Sequence, residues 1–74
     1  MMKLVVTAES DVMDVYSETN DVETATELFE YLCESRDPIY HTVHLYDGET
    51  GEVYAHQTIT RDPAGVTISK WVAL

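Results

Sequence analysis

The stretch VETATELFEYLCE, residues 22–34, predicts one amphipathic helix with acidic side chains along one side. At about 100° per residue, the apolar side chains gather on one helix face; they are Val22, Ala25, Leu28, Phe29, Leu32 and Cys33. Four glutamates fall within about 60° of one another, almost opposite that face; Glu23, Glu27, Glu30 and Glu34 are called the helix stripe below. We therefore expect the apolar face to pack on a sheet and the helix stripe to point into solvent.

The flanking residues predict where this helix begins and ends. Asn20 is a good N-cap, and Glu23 follows three positions later as in a capping box. Asp21 suits the positive end of the helix dipole. The helix is expected to stop before Pro38, because the residue ahead of a proline is pushed out of helical geometry. These signals place the helix at about residues 21–35.

Segments typical of β-strands lie on both sides of the helix. Their β-branched content or alternation predicts strands at residues 3–9, 11–18, 39–46, 53–60 and 66–73. The turn at 47–52 contains Gly51, which suits a left-handed position, and a second turn spans 61–65. The sequence therefore predicts a single α+β domain, in which one helix packs on one face of a four- to five-stranded antiparallel sheet in the order ββαβββ.

Alternation along the strands predicts which side chains share a sheet face. The helix side is predicted to hold Val43, Leu45, Val53, Ala55, Ile59, Val66, Ile68 and Val72. The other side, called the open face below, is predicted to hold Tyr40, Thr42, His44, Tyr46, Tyr54, His56, Thr58, Thr60, Thr67, Ser69 and Trp71. The expected cross-strand pairs are Thr42 with Thr58, His44 with His56, and Tyr46 with Tyr54. One helix cannot cover both faces, so we expect the open face to meet solvent or a partner.

The charge of the chain limits its partners. Four bases and 14 acids give a net charge of −10. No Lys or Arg lies between Leu4 and Ser35, a stretch with nine acids: Glu9, Asp11, Asp14, Glu18, Asp21, Glu23, Glu27, Glu30 and Glu34. This excludes direct binding to nucleic acid or anionic lipid, because both need basic patches. It favours a basic partner, or simply solubility.

The sequence also bears on compartment. No apolar run approaches the roughly 18 residues of a membrane span, and the N-terminal residues turn acidic too early for a signal peptide. Cys33 is the only cysteine, so an internal disulfide is impossible and a reducing interior is the simpler assumption. We expect a cytoplasmic protein without membrane association.

The helix stripe suggests a binding surface. Like charges at i,i+4 destabilise a helix by about 0.2 to 0.5 kcal/mol each, and no lysine within the helix relieves them. The carboxylates are spaced about 4.5 to 6 Å apart along the axis, comparable with neighbouring phosphates of a nucleic-acid strand. Further acids are expected to extend the array: Asp14, Glu18, Asp47, Glu49 and Glu52.

In size, charge and architecture the chain resembles small acidic α+β proteins encoded by bacteriophages and mobile elements. These include anti-CRISPR proteins, anti-restriction proteins and other inhibitors, some of which mimic nucleic acid. The resemblance implies a non-enzymatic inhibitor in the host cell cytoplasm that presents its acidic surface to the basic groove of a nucleic-acid-binding host protein.

An alternative interpretation remains open. The acidity can be an adaptation to salt or solubility in a small structural or housekeeping domain. Its function would then lie in homodimerisation through the open face, whose aromatic and imidazole groups suit an interface. The residues expected at that second interface are Tyr46, Tyr54, His44, His56 and Trp71.

Metal binding and catalysis are not predicted. His44 and His56 supply two zinc ligands where three or four are needed, and no Cys-X-X-Cys or His-Glu-X-X-His spacing occurs. Cys33 lies on the apolar helix face, where a thiol behaves as a small hydrophobe. The chain has no Gly-rich phosphate loop and no Gly-X-Ser-X-Gly motif. We therefore predict no catalytic residue, metal or cofactor.

Overall fold

The computed structural model describes residues 2–73, which form one helix packed against a five-stranded antiparallel sheet. The elements are β1 Leu4–Glu9, β2 Asp14–Thr19, α1 Val22–Glu34, β3 Thr42–Asp47, β4 Val53–Asp62 and β5 Gly65–Val72. The strands lie in the order β2-β1-β3-β4-β5, so β1 is flanked by β2 and β3. The predicted α+β class and the order ββαβββ are confirmed, whereas strand ends differ from prediction by up to three residues.

The first hairpin turn is longer than predicted and is organised by Ser10. The Ser10 hydroxyl donates to the Met13 carbonyl at 2.7 Å and accepts the Met13 N–H at 3.0 Å. The Ser10 N–H also donates to the Met13 carbonyl, at 3.1 Å. Because these local bonds replace ladder bonds, β2 begins at Asp14 and not at the predicted Asp11.

Asp21, not the predicted Asn20, caps the helix. The Asp21 side chain accepts the Glu23 N–H at 3.2 Å and the Thr24 hydroxyl at 2.7 Å. Its own N–H donates to the Thr19 hydroxyl at 3.1 Å, which ties the cap to the end of β2. The predicted N-cap is therefore wrong by one position, because the short side chain of Asp21, two residues after β2, reaches the free N–H group of Glu23.

The helix packs through the middle of its predicted apolar face. Ala25, Phe29 and Leu32 are buried, and Leu28 and Cys33 pack partly against the same core. The sheet contributes Leu4, Val6, Ala8, Val43, Leu45 and Ala55 to this core. Val22 was predicted to belong to it, but the side chain is 41% exposed in the first helical turn.

The helix lies over β1, β2 and β3, and it leaves β5 uncovered. A helix is about 10 to 12 Å wide with its side chains, and strands lie about 4.8 Å apart, so one helix covers two or three strands. Three residues predicted to pack on the helix are consequently exposed: Val66 at 61%, Ile68 at 62% and Val72 at 45%. Every residue of β5 is exposed.

The register between β3 and β4 follows the prediction only in part. Two of the predicted pairs are confirmed: Thr42 with Thr58, and His44 with His56. The third is wrong, because the register shifts between Leu45 and Tyr46, and Tyr46 is paired with Val53 instead of Tyr54. An extra residue on one strand of a pair shifts the alternation of side chains beyond it.

This shift exchanges the positions of two side chains. Tyr54, predicted on the open face, packs against the hydrophobic core. Val53, predicted on the helix side, lines a surface depression with His44, His56 and Trp71. Tyr40 was also predicted on the open face but is 5% exposed in the core, because β3 begins only at Thr42 and its alternation does not extend to Tyr40.

The turn between β3 and β4 is of the predicted kind. Gly51 has φ +80°, the left-handed region that favours glycine. Gly48 lies in close contact with β1, since a Cβ added there would meet the Val5 side chain at 2.9 Å. The turn is therefore fixed both by its own backbone and by contact with β1.

Candidate functional site

The helix stripe divides into free and engaged carboxylates. Glu23, Glu27 and Glu34 are exposed, and within residues 2–73 none of them forms an ion pair. They lie on the side of α1 that faces away from the core, as the periodicity predicts. These three glutamates give the outer surface of the helix three uncompensated negative charges.

Glu30 differs from its neighbours in the stripe. Its carboxylate accepts from the Lys70 ammonium at 2.8 Å, a contact between α1 and β5. The Lys70 Nζ also lies 5.9 Å from the centre of the Phe29 ring, a cation–π distance. The hydrogen bond from Lys70 to Glu30 raises the pKa of Lys70. Glu30 therefore links the helix to β5, which the prediction of a fully solvent-directed stripe did not foresee.

The acids of β2 lie on the other side of the sheet. Glu18 accepts the Tyr16 hydroxyl at 2.6 Å and pairs with the Lys3 ammonium at 3.1 Å. The hydrogen bond from Tyr16, with help from Lys3, lowers the pKa of Glu18. Asp14 is exposed and lies opposite Glu9 across the β1–β2 ladder. Since Glu18 and Asp14 share the open face, they do not continue the helix stripe.

The turn between β3 and β4 carries three of the predicted acids. Asp47 holds the turn, because its carboxylate accepts the N–H groups of Glu49 at 2.8 Å and Thr50 at 3.2 Å. These backbone bonds lower the pKa of Asp47. Glu49 and Glu52 are exposed, and Glu49 lines a depression with Glu18 and residues next to the start of α1. The turn thus adds two exposed carboxylates, of which that of Glu49 lies near the residues that precede α1.

A row of ring-bearing side chains crosses the open face. Successive cross-strand pairs link Tyr16 to Thr7, Thr7 to His44, His44 to His56 and His56 to Trp71. The His44 and His56 ring centres are 6.1 Å apart, and His56 stacks on Trp71 at 5.7 Å. Tyr16, which the sequence did not place here, is 63% exposed, and Trp71 is 47% exposed. The row joins all five strands.

The sequence reasoning missed a cleft beside the C-terminal end of α1. This cleft, of about 490 Å³, is lined by Arg36, Arg61 and His41, together with Asp11 and Asp37. Within residues 2–73, neither arginine lies within 4.0 Å of a carboxylate. The two arginines and two aspartates leave the cleft with no net charge, so we assign it no ligand. No spacing in the sequence pairs residues 36 and 61, which only the fold brings together.

Three observations concern metal binding, thiol reactivity and membrane crossing. Among the described residues, no three His, Cys, Asp or Glu side chains are placed to hold one metal ion. Burial raises the pKa of the Cys33 thiol to about 11, so the thiol is protonated at neutral pH. No helical segment in residues 2–73 combines the length and the apolarity that a membrane crossing requires.

Comparisons with known proteins leave the site to be interpreted from its own geometry. A scan against protein-family models, a search of curated proteins and a search of solved structures each gave no match.

Proposed function

We propose that this protein is a non-enzymatic protein-binding module, an antagonist that places its acidic surface in the basic nucleic-acid groove of a host protein. The observation that supports this proposal is the separation of charge in the fold. Residues 1–52 hold 13 acids and two bases, 2 − 13 = −11, whereas residues 53–74 hold one acid and two bases, 2 − 1 = +1. The chain therefore has an acidic part and a part with almost no charge.

This separation favours a binding surface over general adaptation to salt. An acidic coat that serves only solubility has no reason to omit an exposed strand. Every residue of β5 is exposed, yet Lys70 is its only charged residue. The free acids of α1 and of the turn between β3 and β4 supply the surface that we propose is directed at a basic partner, whereas the acids of β2 lie on the open face.

The carboxylates available to such a partner are those that form no ion pair or side-chain hydrogen bond within residues 2–73. On the helix they are Glu23, Glu27 and Glu34, and at the turn they are Glu49 and Glu52. Glu23 and Glu27 are about 6 Å apart along the helix axis, and Glu27 and Glu34 about 10 Å. Those separations are comparable with one and two steps between phosphates of a nucleic-acid strand once the winding of the strand is added to its rise.

The test compares two triple variants of equal charge. The first, Glu23→Gln with Glu27→Gln and Glu34→Gln, removes the free charges of the helix. The second, Glu9→Gln with Asp11→Asn and Asp14→Asn, removes three charges away from the helix stripe, two on the open face and one, that of Asp11, in the turn between β1 and β2. Each immobilised protein is incubated with a host lysate freed of nucleic acid, and captured proteins are eluted with a single-stranded oligonucleotide.

Wild-type protein and the second variant are expected to retain nucleic-acid-binding proteins that the oligonucleotide displaces. The first variant is expected to lose at least about tenfold in retention, because electrostatic contacts dominate binding to such grooves. Equal retention by both variants, or capture that the oligonucleotide does not compete for, would contradict the proposal.

A second function is supported by the row of rings on the open face. Tyr16, His44, His56 and Trp71 are partly or largely exposed on one sheet face, and aromatic groups of this kind are enriched at interfaces. Under this alternative the acidity serves solubility or adaptation to salt, and the domain homodimerises through the open face. Tyr16→Ser with Trp71→Ser would then abolish the dimer while the charge stayed at −10.

A further inference from the structure

The outer edge of β5 is unprotected. Among its eight residues, all exposed, are the apolar side chains of Val66, Ile68, Trp71 and Val72. Natural sheets usually blunt an exposed edge with charges, prolines, bulges or short strands, because free backbone groups invite pairing with another chain. β5 pairs with β4 without any irregularity and has one charge, Lys70, which is turned towards Glu30 on the helix.

The direction of the backbone groups on this edge follows from two hydrogen bonds. The Ala73 N–H donates to the Tyr54 carbonyl at 2.8 Å, so odd-numbered residues of β5 point their backbone groups at β4. A second bond supports this direction: the Ile59 N–H donates to the His41 carbonyl. Odd-numbered residues of β4 therefore point their backbone groups away from β5, and even-numbered residues of β4 bond to the odd-numbered residues of β5. Since direction alternates along a strand, the free edge carries the N–H and C=O groups of Val66, Ile68, Lys70 and Val72.

Electrostatics indicate the occupant of this edge. Two copies that each carry −10 repel one another over most of their surfaces. At the other end of the sheet, β2 carries Asp14 and Glu18, so two β2 edges would bring like charges together. Residues 53–74, which contain β5, have a net charge of +1 by the count above, so the β5 edge is where a second copy meets the least repulsion.

We propose that β5 pairs antiparallel with β5 of a second copy around a two-fold axis at Ser69. The two sheets then continue as one, with both helices on the same side. Val66 faces the second copy's Val72, and Ile68 faces the second copy's Lys70, as hydrogen-bonded pairs. Ser69 faces its own counterpart as a non-hydrogen-bonded pair. This interface is distinct from the open face, and it does not depend on the proposed acidic binding surface.

The first test is a cross-link at the axis. In a Cys33→Ala background, Ser69→Cys places two thiols opposite each other at about 4.5 Å between Cα atoms, which suits a disulfide. Mild oxidation is expected to give a dimer that reducing agent separates. Thr60→Cys in the same background is the control, because Thr60 is exposed on the same sheet face but belongs to β4. It is expected to cross-link at least about tenfold more slowly.

The second test removes one outward N–H group. Ile68→Pro leaves the bonds to β4 intact and is expected to raise the dissociation constant of the dimer about tenfold or more, since two hydrogen bonds are lost per dimer. Ile68→Thr keeps the N–H group and measures the apolar contribution alone. Circular dichroism checks the fold, and sedimentation velocity over a range of concentrations measures the dimer.

Two results would overturn this inference. One is a wild-type protein that stays monomeric at millimolar concentration. The other is a dimer that neither cross-links through Ser69→Cys nor responds to Ile68→Pro, which would assign self-association to another surface such as the open face. Should Ile68→Pro fail to fold, the comparison of Ser69→Cys with Thr60→Cys decides the question.

Discussion

The contacts of the Asp47 carboxylate in the fold give it a structural role in the turn between β3 and β4, whereas the sequence predicted that it binds a partner. The sequence counted it among the acids available to a partner. In the fold, its Oδ1 accepts the N–H groups of Glu49 and Thr50, and its Oδ2 accepts the Tyr54 hydroxyl at 3.3 Å. A carboxylate that closes a turn in this way stabilises the β3–β4 hairpin, and its charge is already used within the chain.

The lowered pKa of Asp47 predicts how that stabilisation depends on pH. A carboxyl group whose pKa is lower in the folded state stabilises the fold above its unfolded pKa, and the effect is lost as pH falls through the folded value. Asp47→Asn is therefore expected to unfold at lower urea concentration than wild type at neutral pH. The difference should shrink below about pH 4, the ordinary pKa of aspartate, and disappear below the lowered pKa.

Glu49→Gln is the matched control for this pH series. Glu49 lies in the same turn, but within residues 2–73 its side chain takes part in no hydrogen bond or ion pair. Its substitution should leave the urea midpoint nearly unchanged across the pH range. A constant difference between wild type and Asp47→Asn at all pH values would contradict the assignment.

The β5 strand depends on the helix through one side chain. Because α1 lies over β1, β2 and β3, β5 gains no apolar contact of comparable extent from the helix. Lys70 reaches from β5 to the helix: its ammonium lies 2.8 Å from the Glu30 carboxylate and over the Phe29 ring. A long lysine stem can cover apolar surface while its charged end stays in contact with water. Lys70 thus holds the edge strand beside the helix without an apolar core between them.

A double-mutant cycle measures this connection. Glu30→Gln and Lys70→Met, singly and together, are expected to give a coupling free energy of about 0.2 to 1 kcal/mol in urea unfolding, because both side chains are partly exposed. Glu23→Gln with Lys70→Met is the control cycle, and its coupling should be near zero, since Lys70 is paired with Glu30 and not Glu23. Equal coupling in both cycles would mean that general charge, and not the contact, is responsible.

The whole molecule has a larger surface than is usual for its mass and an excess of negative charge. It measures 45 × 22 × 18 Å along its principal axes and exposes 4965 Å², against about 4600 Å² expected for a monomer of this mass. The excess agrees with an uncovered β5. The chain has 14 acids and only four bases, so most of its carboxylates lack an opposite charge. These carboxylates repel one another across the surface and destabilise the compact state at low ionic strength.

Salt is therefore expected to stabilise the fold without being required for it. We expect a folded protein at about 0.15 M NaCl, where the screening length is about 8 Å, and a higher melting temperature at about 2 M. The triple glutamine variant of Glu23, Glu27 and Glu34 should show a smaller increase, because it has fewer charges to screen. Thermal scans by circular dichroism measure this. A chain that folds only in molar salt would favour adaptation to salt over the binding proposal.

Several features of the fold could be predicted because they depend on near neighbours in sequence. The periodicity of residues 22–34 identified the helix and most of its buried face. Alternation identified the strands and placed His44 opposite His56, and the chemistry of glycine identified the turn at Gly51. The position of Glu23, Glu27 and Glu34 on the outer side of the helix also followed from the helical period.

Other features depended on how the elements meet. Alternation assigned Tyr54 and Val53 to the wrong faces, because the register between β3 and β4 shifts beyond Leu45. Val66, Ile68 and Val72 of β5 were predicted to pack on the helix but are exposed, since alternation shows which side chains share a face and not whether anything covers that face. Lys70 and Glu30, 40 positions apart, gave no local signal of their contact.

The sequence by itself determined the elements, their order and the segregation of charge, because helical and strand periods and composition are properties of neighbouring residues. Only the tertiary structure decided which acids are free, which side chain lies on which side of β4, and that β5 remains exposed. Those outcomes depend on how many of the five strands one helix can cover and on the register shift between β3 and β4. Both are relations between elements that are distant in sequence, so no short stretch of the chain predicts them.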